Sequence, residues 1–258
     1  GNPIHRSQLD CSFLLPIVHL LIDNSNTLTK FALEVGGELS EWRGVIATSD
    51  LSKTSIQNTL HSQTFERITL CSVVPDSTIL IKTIFDQPIH HISHQSKMPI
   101  TIDYPNPSKI GADRLANASA AILDRQGPAI VIDFGTAVTF DVISKIGSYL
   151  GGVIAPGTAS LRDYLHQKTA LLPAIQLEEP NSIIGRSTEE AMQVGAVIGY
   201  RGLIREILSE LRRELGGTPT ILATGGDAEL IGKGISDIDI IDQDLTMKGI
   251  QVIGRANH

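Results

Sequence analysis

The sequence predicts an α/β protein built of two halves on one plan, and three observations carry this. An apolar run at residues 17–22 ends in Asp23, and a second at residues 129–133 ends in Asp133. Each is followed by a short polar turn and then by two further strand-like runs joined through glycine. Around these triplets, helical and strand-like stretches alternate, as they do in layered α/β domains. A plan that occurs only twice is a degenerate supersecondary repeat and not a solenoid. Three strands, then helix, strand and helix, is the order of a ribonuclease-H-like half.

The elements follow in order. Residues 17–22, 28–35 and 39–48 read as an antiparallel meander, with a tight turn at Gly36-Gly37. Residues 49–62 are polar, with Leu51, Ile56 and Leu60 at helical spacing, and Ser49 or Asp50 is placed to cap them. Residues 67–74 form a strand and 76–85 a short helix. Residues 89–98, with His90, His91 and His94, read as a solvated connection. Residues 115–123 are Ala-rich and helical. The second half then repeats the meander at 129–133, 136–144 and 149–154, with Gly147 as a turn. Residues 187–215 are helical, interrupted by Gly195, Gly199 and Gly202. A strand at 220–223, a helix start at 228–231 and a closing helix at 245–253 complete the chain.

At 258 residues the chain has room for one large domain or two smaller ones. Hydrophobic residues at 41% against 19% charged allow a sizeable core and exclude a mainly disordered chain. A net charge of −7 opposes a nucleic-acid partner, which needs a basic footprint. Cys11 and Cys71 are too few for a disulfide scaffold or a four-cysteine zinc site, and they point to a reducing compartment. No apolar stretch reaches the roughly 18 residues of a membrane span. Residues 11–22 are apolar, but Pro16 and His19 interrupt them and no small-residue cleavage site follows, so they read as a buried first strand.

A strand that ends in aspartate and opens into a small polar turn suits phosphate chemistry. The carboxylate can hold a hydrated cation, and free backbone N–H groups donate to phosphate oxygens. The first turn offers Asp23, Asn26, Thr27, Thr29 and Lys30, and the second Asp133, Gly135, Thr136 and Thr139. Either turn alone reads equally as an ordinary polar turn; two in matching positions point to a two-lobed nucleotide site. Thr224-Gly225-Gly226, between strand and helix, is a third loop of this kind. Asp113 and Arg114 stand in the first turn of a helix, where Asp is also a routine dipole partner. In the functional reading, Asp113 accepts a proton from a substrate hydroxyl and Arg114 stabilises charge on a transferring phosphoryl group. Ser187 and Glu190 have capping-box spacing. Residues 151–157 either shape a pocket floor or are a strand exit, and residues 201–213 read as a solvated helix face. Cys71 reads as a buried small hydrophobe.

Taken together, residues 22–27, 104–121, 130–141, 149–157, 184–202 and 223–228 resemble type III pantothenate kinase over nearly the whole chain from Leu20. The resemblance implies an actin-like fold of two ribonuclease-H-like lobes, residues 17–115 and 116–258, behind an extension at 1–16 that exceeds the family's usual short start. It implies a cytoplasmic homodimer that phosphorylates pantothenate with ATP, the first step toward coenzyme A. By similarity Asp113 is the general base. Tyr104, Gly111, Ala112, Arg114 and Thr188 contact pantothenate with it, Thr188 across a dimer interface. Asp23, Asn24, Ser25, Asn26, Thr27, Leu28, Thr29 and Lys30 form the first phosphate loop, and Thr136 is a further ATP contact. Asp133 is the ligand of a monovalent cation, K+ or NH4+, and Mg2+ accompanies the nucleotide.

The first loop departs from the family pattern: Ser25 stands where glycine is usual. If that position needs a positive φ, serine is strained and its Cβ crowds a phosphate. This motivates a second reading, a catalytically weakened, nucleotide-binding regulatory homologue. A third is an actin-like kinase acting on another sugar or acid.

Overall fold

The computed structural model describes residues 17–123, 127–169 and 171–258; the extension at 1–16 lies outside the described residues. A meander of β1 (Val18–Asn24), β2 (Leu28–Val35) and β3 (Glu38–Ala47) leads to α1 (Lys53–Leu60), β4 (Arg67–Ser72), α2 (Pro75–Ile84) and β5 (Ile89–His91). After β6 (Thr101–Ile102) and α3 (Ala112–Ala121), a second meander follows: β7 (Ala129–Phe134), β8 (Ala137–Ile143) and β9 (Ser148–Pro156). Then come α4 (Thr158–Lys168), α5 (Thr188–Val194), α6 (Tyr200–Leu215), β10 (Thr220–Thr224), β11 (Ile240–Ile241) and α7 (Leu245–Asn257).

The first sheet has the order β3-β2-β1-β4-β5 and the second β11-β10-β7-β8-β9-β6. In each, the strand carrying the aspartate is interior. It pairs antiparallel with its hairpin partner and parallel with a crossover strand, β1 with β4 and β7 with β10. The carboxyl ends of parallel strands are where open α/β sheets bind ligands, and Asp23 and Asp133 stand at those ends. β6 joins the edge of the second sheet through β9, although it precedes α3 in the chain.

One core lies between α3, α7 and the inner sheet faces, built on Leu21, Leu115, Ala116, Tyr149 and Ile250. A second packs α6 on the outer face of the second sheet, and a third packs α1 and α2 on the outer face of the first. The α3–α7 crossing is close: a Cβ on Gly249 would sit 1.9 Å from the Ala116 carbonyl oxygen. Alanines and Ser119 on α3 make this approach possible, and nearly every residue of that helix is buried.

Several expectations are corrected. The helix after the first meander is capped by Ser52, whose hydroxyl accepts from the Ser55 backbone N–H, and not by Ser49 or Asp50. Residues 89–98 are not merely a solvated connection: β5 pairs in parallel with β4, and His90 Nε2 lies 2.8 Å from Ser96 Oγ. The glycines in 187–215 do not break the helix but widen it into one π-helical turn, Gly195–Gly199, between α5 and α6. The helix start at 228–231 is likewise a short π-helical turn. Arg201 is not on a solvated face. It is buried, its Nη1 and Nη2 donate to Glu179 at 2.8 and 2.6 Å, and it also bonds the Leu230 and Ile231 carbonyls. α4, β6 and β11 have no counterpart in the sequence reading, because short edge strands and a helix of low amphipathicity leave little periodic signal.

Candidate functional site

The two aspartate turns meet. Thr27 Oγ1 and Thr136 Oγ1, at the two turn tips, are hydrogen-bonded at 2.7 Å. Each turn is fixed from behind. In the first, the Ser25 N–H and hydroxyl both donate to the Leu28 carbonyl at 3.0 Å. Thr48 Oγ1 donates to the Ser25 carbonyl at 2.8 Å. Asn24 Nδ2 donates to Thr29 Oγ1 at 2.8 Å, and Ser72 Oγ donates to Asn24 Oδ1 at 2.7 Å. In the second, a Cβ on Gly157 would lie 2.4 Å from the Thr136 carbonyl oxygen, so only glycine lets the start of α4 approach. Gly225, with φ +94°, brings the third loop against the same place: a Cβ there would sit 2.7 Å from Asp133 Oδ1.

The concern over Ser25 is answered by its backbone. Among the described residues only glycines have positive φ, so Ser25 carries no left-handed strain. Its hydroxyl turns into its own turn.

Asp113 lies in the first turn of α3, as expected. Its Oδ1 accepts from the Arg114 backbone N–H at 2.8 Å. The carboxylate thus folds back over the helix N-terminus, and a Cβ on Gly111 would sit 2.5 Å from that oxygen. A side chain at 111 would therefore make the Asp113 carboxylate turn aside. Burial raises the Asp113 carboxyl above its usual range, against the pull of Arg114. Asp23 is pushed up to about 7, by burial first, then by the charges of Asp133 and Asp113, with Lys30 opposing. Asp133 is raised by burial and by Asp113, while Asn117 Nδ2, donating to Oδ2 at 3.1 Å, opposes. The three carboxylates therefore share one electrostatic neighbourhood. Cys71, opposite Asp23 on β4, is buried, and burial with these charges pushes its thiol up, which removes it as a nucleophile.

Hard oxygen donors that share too little positive charge suit a hard cation. Among the described residues no three His, Cys, Asp or Glu side chains converge to enclose an ion unaided. Water or phosphate oxygens would have to complete a shell around Asp23 or Asp133.

Beside Asp113, the Arg114 side chain turns away from it. Nε donates to Asp141 Oδ1 at 2.6 Å and Nη2 to the Phe140 carbonyl at 3.2 Å. The guanidinium lies 5.8 Å from the Tyr149 ring centroid, and Tyr104 packs edge-on against Tyr149 at 6.2 Å. Gly151 has φ +115°, and a Cβ there would press on the Tyr104 ring at 3.2 Å. The 151–157 segment is the exit of β9, and its Gly151 admits the Tyr104 ring. Tyr104 and Arg114 thus both pack on Tyr149, and Gly111, Ala112 and Asp113 adjoin Arg114 at the start of α3.

Thr188 is elsewhere. It begins α5 and lines an apolar cavity of about 650 Å³ with Arg162, Tyr164, Met192 and Ala196. Ser187 caps α5 by accepting from Glu190 N–H at 3.1 Å, but Glu190 Oε2 takes the Arg186 N–H at 2.6 Å, so the reciprocal half of the capping box is displaced by one residue.

Sequence reading missed Asp141, Asn117 and Thr246. Thr246 Oγ1 donates to Asn117 Oδ1 at 2.7 Å, which turns the Asn117 amide N–H toward Asp133. The available signal was a polar side chain in an otherwise apolar run: Asp141 in β8, Asn117 in the Ala-rich α3.

Comparison with known proteins follows the same lines. A family model described as type III pantothenate kinase matches residues 19–210. A type III pantothenate kinase from Akkermansia muciniphila is 48% identical over 241 residues, covering 93% of this chain and all of that protein. Among solved structures, a Baf-family protein from Campylobacter jejuni superposes with a TM-score of 0.60 at 21% identity, covering 91% of this chain and 96% of that one. An inorganic polyphosphate/ATP-glucomannokinase from Arthrobacter superposes with a TM-score of 0.50 at 14% identity, covering 95% and 100%. These structural likenesses carry the fold alone, the actin-like pair of ribonuclease-H-like lobes.

Proposed function

The chain belongs to the type III pantothenate kinase family, and from that premise we propose that it transfers the γ-phosphoryl group of ATP to the primary hydroxyl of pantothenate, giving 4′-phosphopantothenate, the first step of coenzyme A synthesis. The observation that carries the reading is the Thr27–Thr136 contact at 2.7 Å, which joins the two aspartate turns, whose acids both feel the charge of Asp113.

Phosphoryl transfer asks mainly for positioning, charge and one base. Residues 23–30 cradle the phosphates through backbone N–H groups, with Lys30 supplying positive charge and Thr136 a hydroxyl from the other lobe. Asp113 receives the acceptor proton. Its raised affinity for that proton strengthens it as a base, and the proton leaves late in a loose transition state. Tyr104, Gly111, Ala112 and Arg114 hold pantothenate beside it. Asp133 would hold a potassium or ammonium ion, and Asp23 would face the magnesium that accompanies ATP; these cations supply neutralisation of phosphate charge.

We further infer lobes at 17–115 and 116–258, with β6 and α7 each reaching across, and a cytoplasmic homodimer in which Thr188 serves the neighbouring subunit. Exposed Ile154, Tyr164, Ile183 and Ile184 support such an interface. No helix of the described residues is long and apolar enough to cross a membrane. The weakened regulatory reading loses its motive with the unstrained Ser25. A coupled assay with ATP, Mg2+ and K+ tests the proposal. Pantothenate-dependent ADP release is expected; its absence under every monovalent cation, or preference for a sugar, would overturn it.

A further inference from the structure

Asp141 is the one charged side chain in β8, and it has no exposed surface. Two donors converge on its Oδ1: Arg114 Nε at 2.6 Å and the Tyr149 hydroxyl at 3.1 Å. Oδ2 is buried with no partner among the described residues. A buried carboxylate with an idle oxygen is a costly core residue. An amide or hydroxyl would pack there more cheaply. What a carboxylate adds is a full negative charge that can hold a guanidinium.

The guanidinium is held on one edge. Its Nε–H and the Nη2 hydrogen beside it face the same way, and they are taken by Asp141 and by the Phe140 carbonyl at 3.2 Å. Gly152 closes the space behind: a Cβ there would sit 1.6 Å from the Phe140 oxygen and 3.0 Å from Arg114 Nη2. The Tyr149 ring lies alongside. The other edge, Nη1 with the second Nη2 hydrogen, is left over, and Nη1 has no hydrogen-bond partner among the described residues. That edge is a planar two-donor fork, the shape that binds a carboxylate.

We propose that Asp141 is a positioning residue, which holds Arg114 so that its remaining edge receives the carboxylate of the acceptor and its hydrogen bonds stay off the Asp113 carboxylate. This rests on the reading of the chain as a pantothenate kinase, and it makes acceptor selectivity a property of a residue buried in β8. Without Asp141 the guanidinium is free to swing toward its sequence neighbour Asp113 and occupy the base.

The test compares Asp141→Asn with wild type on two acceptors: pantothenate, and pantothenol, which keeps the primary hydroxyl but carries an alcohol in place of the carboxylate. In Asp141→Asn, KM for pantothenate is expected to rise roughly 10- to 100-fold, the size of one charge-assisted hydrogen bond. KM for ATP stays within about twofold, and the preference for pantothenate over pantothenol falls by about tenfold or more. Equal losses on both acceptors, or an unchanged pantothenate KM, overturn the inference while leaving the kinase reading standing. A wild type without pantothenate-dependent ADP release overturns both. Should Asp141→Asn fail to fold, NMR of the wild type decides. The Arg114 Nε–H signal is expected to exchange slowly and the Nη signals to shift with pantothenate but not with pantothenol; a fast-exchanging Nε–H, or identical shifts with both, overturns it.

Discussion

The two aspartate turns share a backbone plan and differ in what stands across from the acid. Asp23 faces Lys30 across the first hairpin, whereas Asp133 faces Thr139 across the second. The next residue differs too. Asn24 is tied into a polar web by Thr29 and Ser72, while Phe134 is buried in the core of the second lobe. The first turn therefore brings its own cation and its own hydrogen bonds. The second is hemmed by Gly135, Gly157 and Gly225, and among the described residues its carboxylate takes a side-chain hydrogen bond from the Asn117 amide alone and feels the charge of Lys30 from the first turn. Repetition kept the acid and its place at the strand end. In the proposed reading the facing strand separates their roles, an anion cradle in one lobe and a cation seat in the other.

The largest expected effect lies at the group on which both turns converge. Asp113→Asn should lower kcat by about 10²- to 10⁴-fold with KM for ATP little changed, as loss of a general base does. Steady-state kinetics with both substrates varied would show it, and a kcat within about threefold of wild type would remove Asp113 from the mechanism. Next is the charge that separates the turns. Lys30→Ala should raise KM for ATP by roughly tenfold or more, the worth of one charge-assisted phosphate contact. Thr139→Lys, placing a cation at the matching position of the second hairpin, should instead blunt activation by K+. If the two substitutions act alike, the division of labour is wrong.

A third prediction concerns stability. The Asp23 carboxyl is held at about 7 in the folded chain against an ordinary 3.8. Between those values the native state binds the proton that the unfolded state has released. Stability from this group is therefore present at low pH and is lost as pH rises from about 4 through 7. Asp23→Asn should make the cation-free protein more stable than wild type at pH 8, by up to about 1.4 kcal/mol for each pKa unit removed. The gain should vanish near pH 4, and denaturant melts at the two pH values check it. The smallest effect is expected at Ser25→Gly: turnover within about twofold, since its φ is already one that serine adopts freely. A large gain in turnover would revive the idea of a strained loop.

Much of this was legible in the chain. The two strand-end aspartates, the hairpins after them and the acid in the first turn of α3 follow from apolar runs meeting polar turns, a local signal. What stayed hidden depends on pairing at a distance. Asp141 looks like a stray charge until β8 is set against α3 and Arg114 reaches it. Arg201 looks solvated until Glu179, from a segment without regular structure, closes over it. β6 joins the far sheet through only two residues, Thr101 and Ile102, too short a run to announce its partner.

The docking of α7 and its N-cap on α3 and on the first meander has a kinetic consequence. Thr246 reaches back 129 residues to Asn117, Asp244 201 residues to Arg43, Gln251 214 to Gly37 and Arg255 221 to Glu34. Contacts of such sequence separation form late, because the closure entropy of a long loop precedes any reward. The helix that bears Asp113 therefore gains its last support only when the far end of the chain docks. Refolding followed by core fluorescence should run ahead of the return of enzymatic turnover.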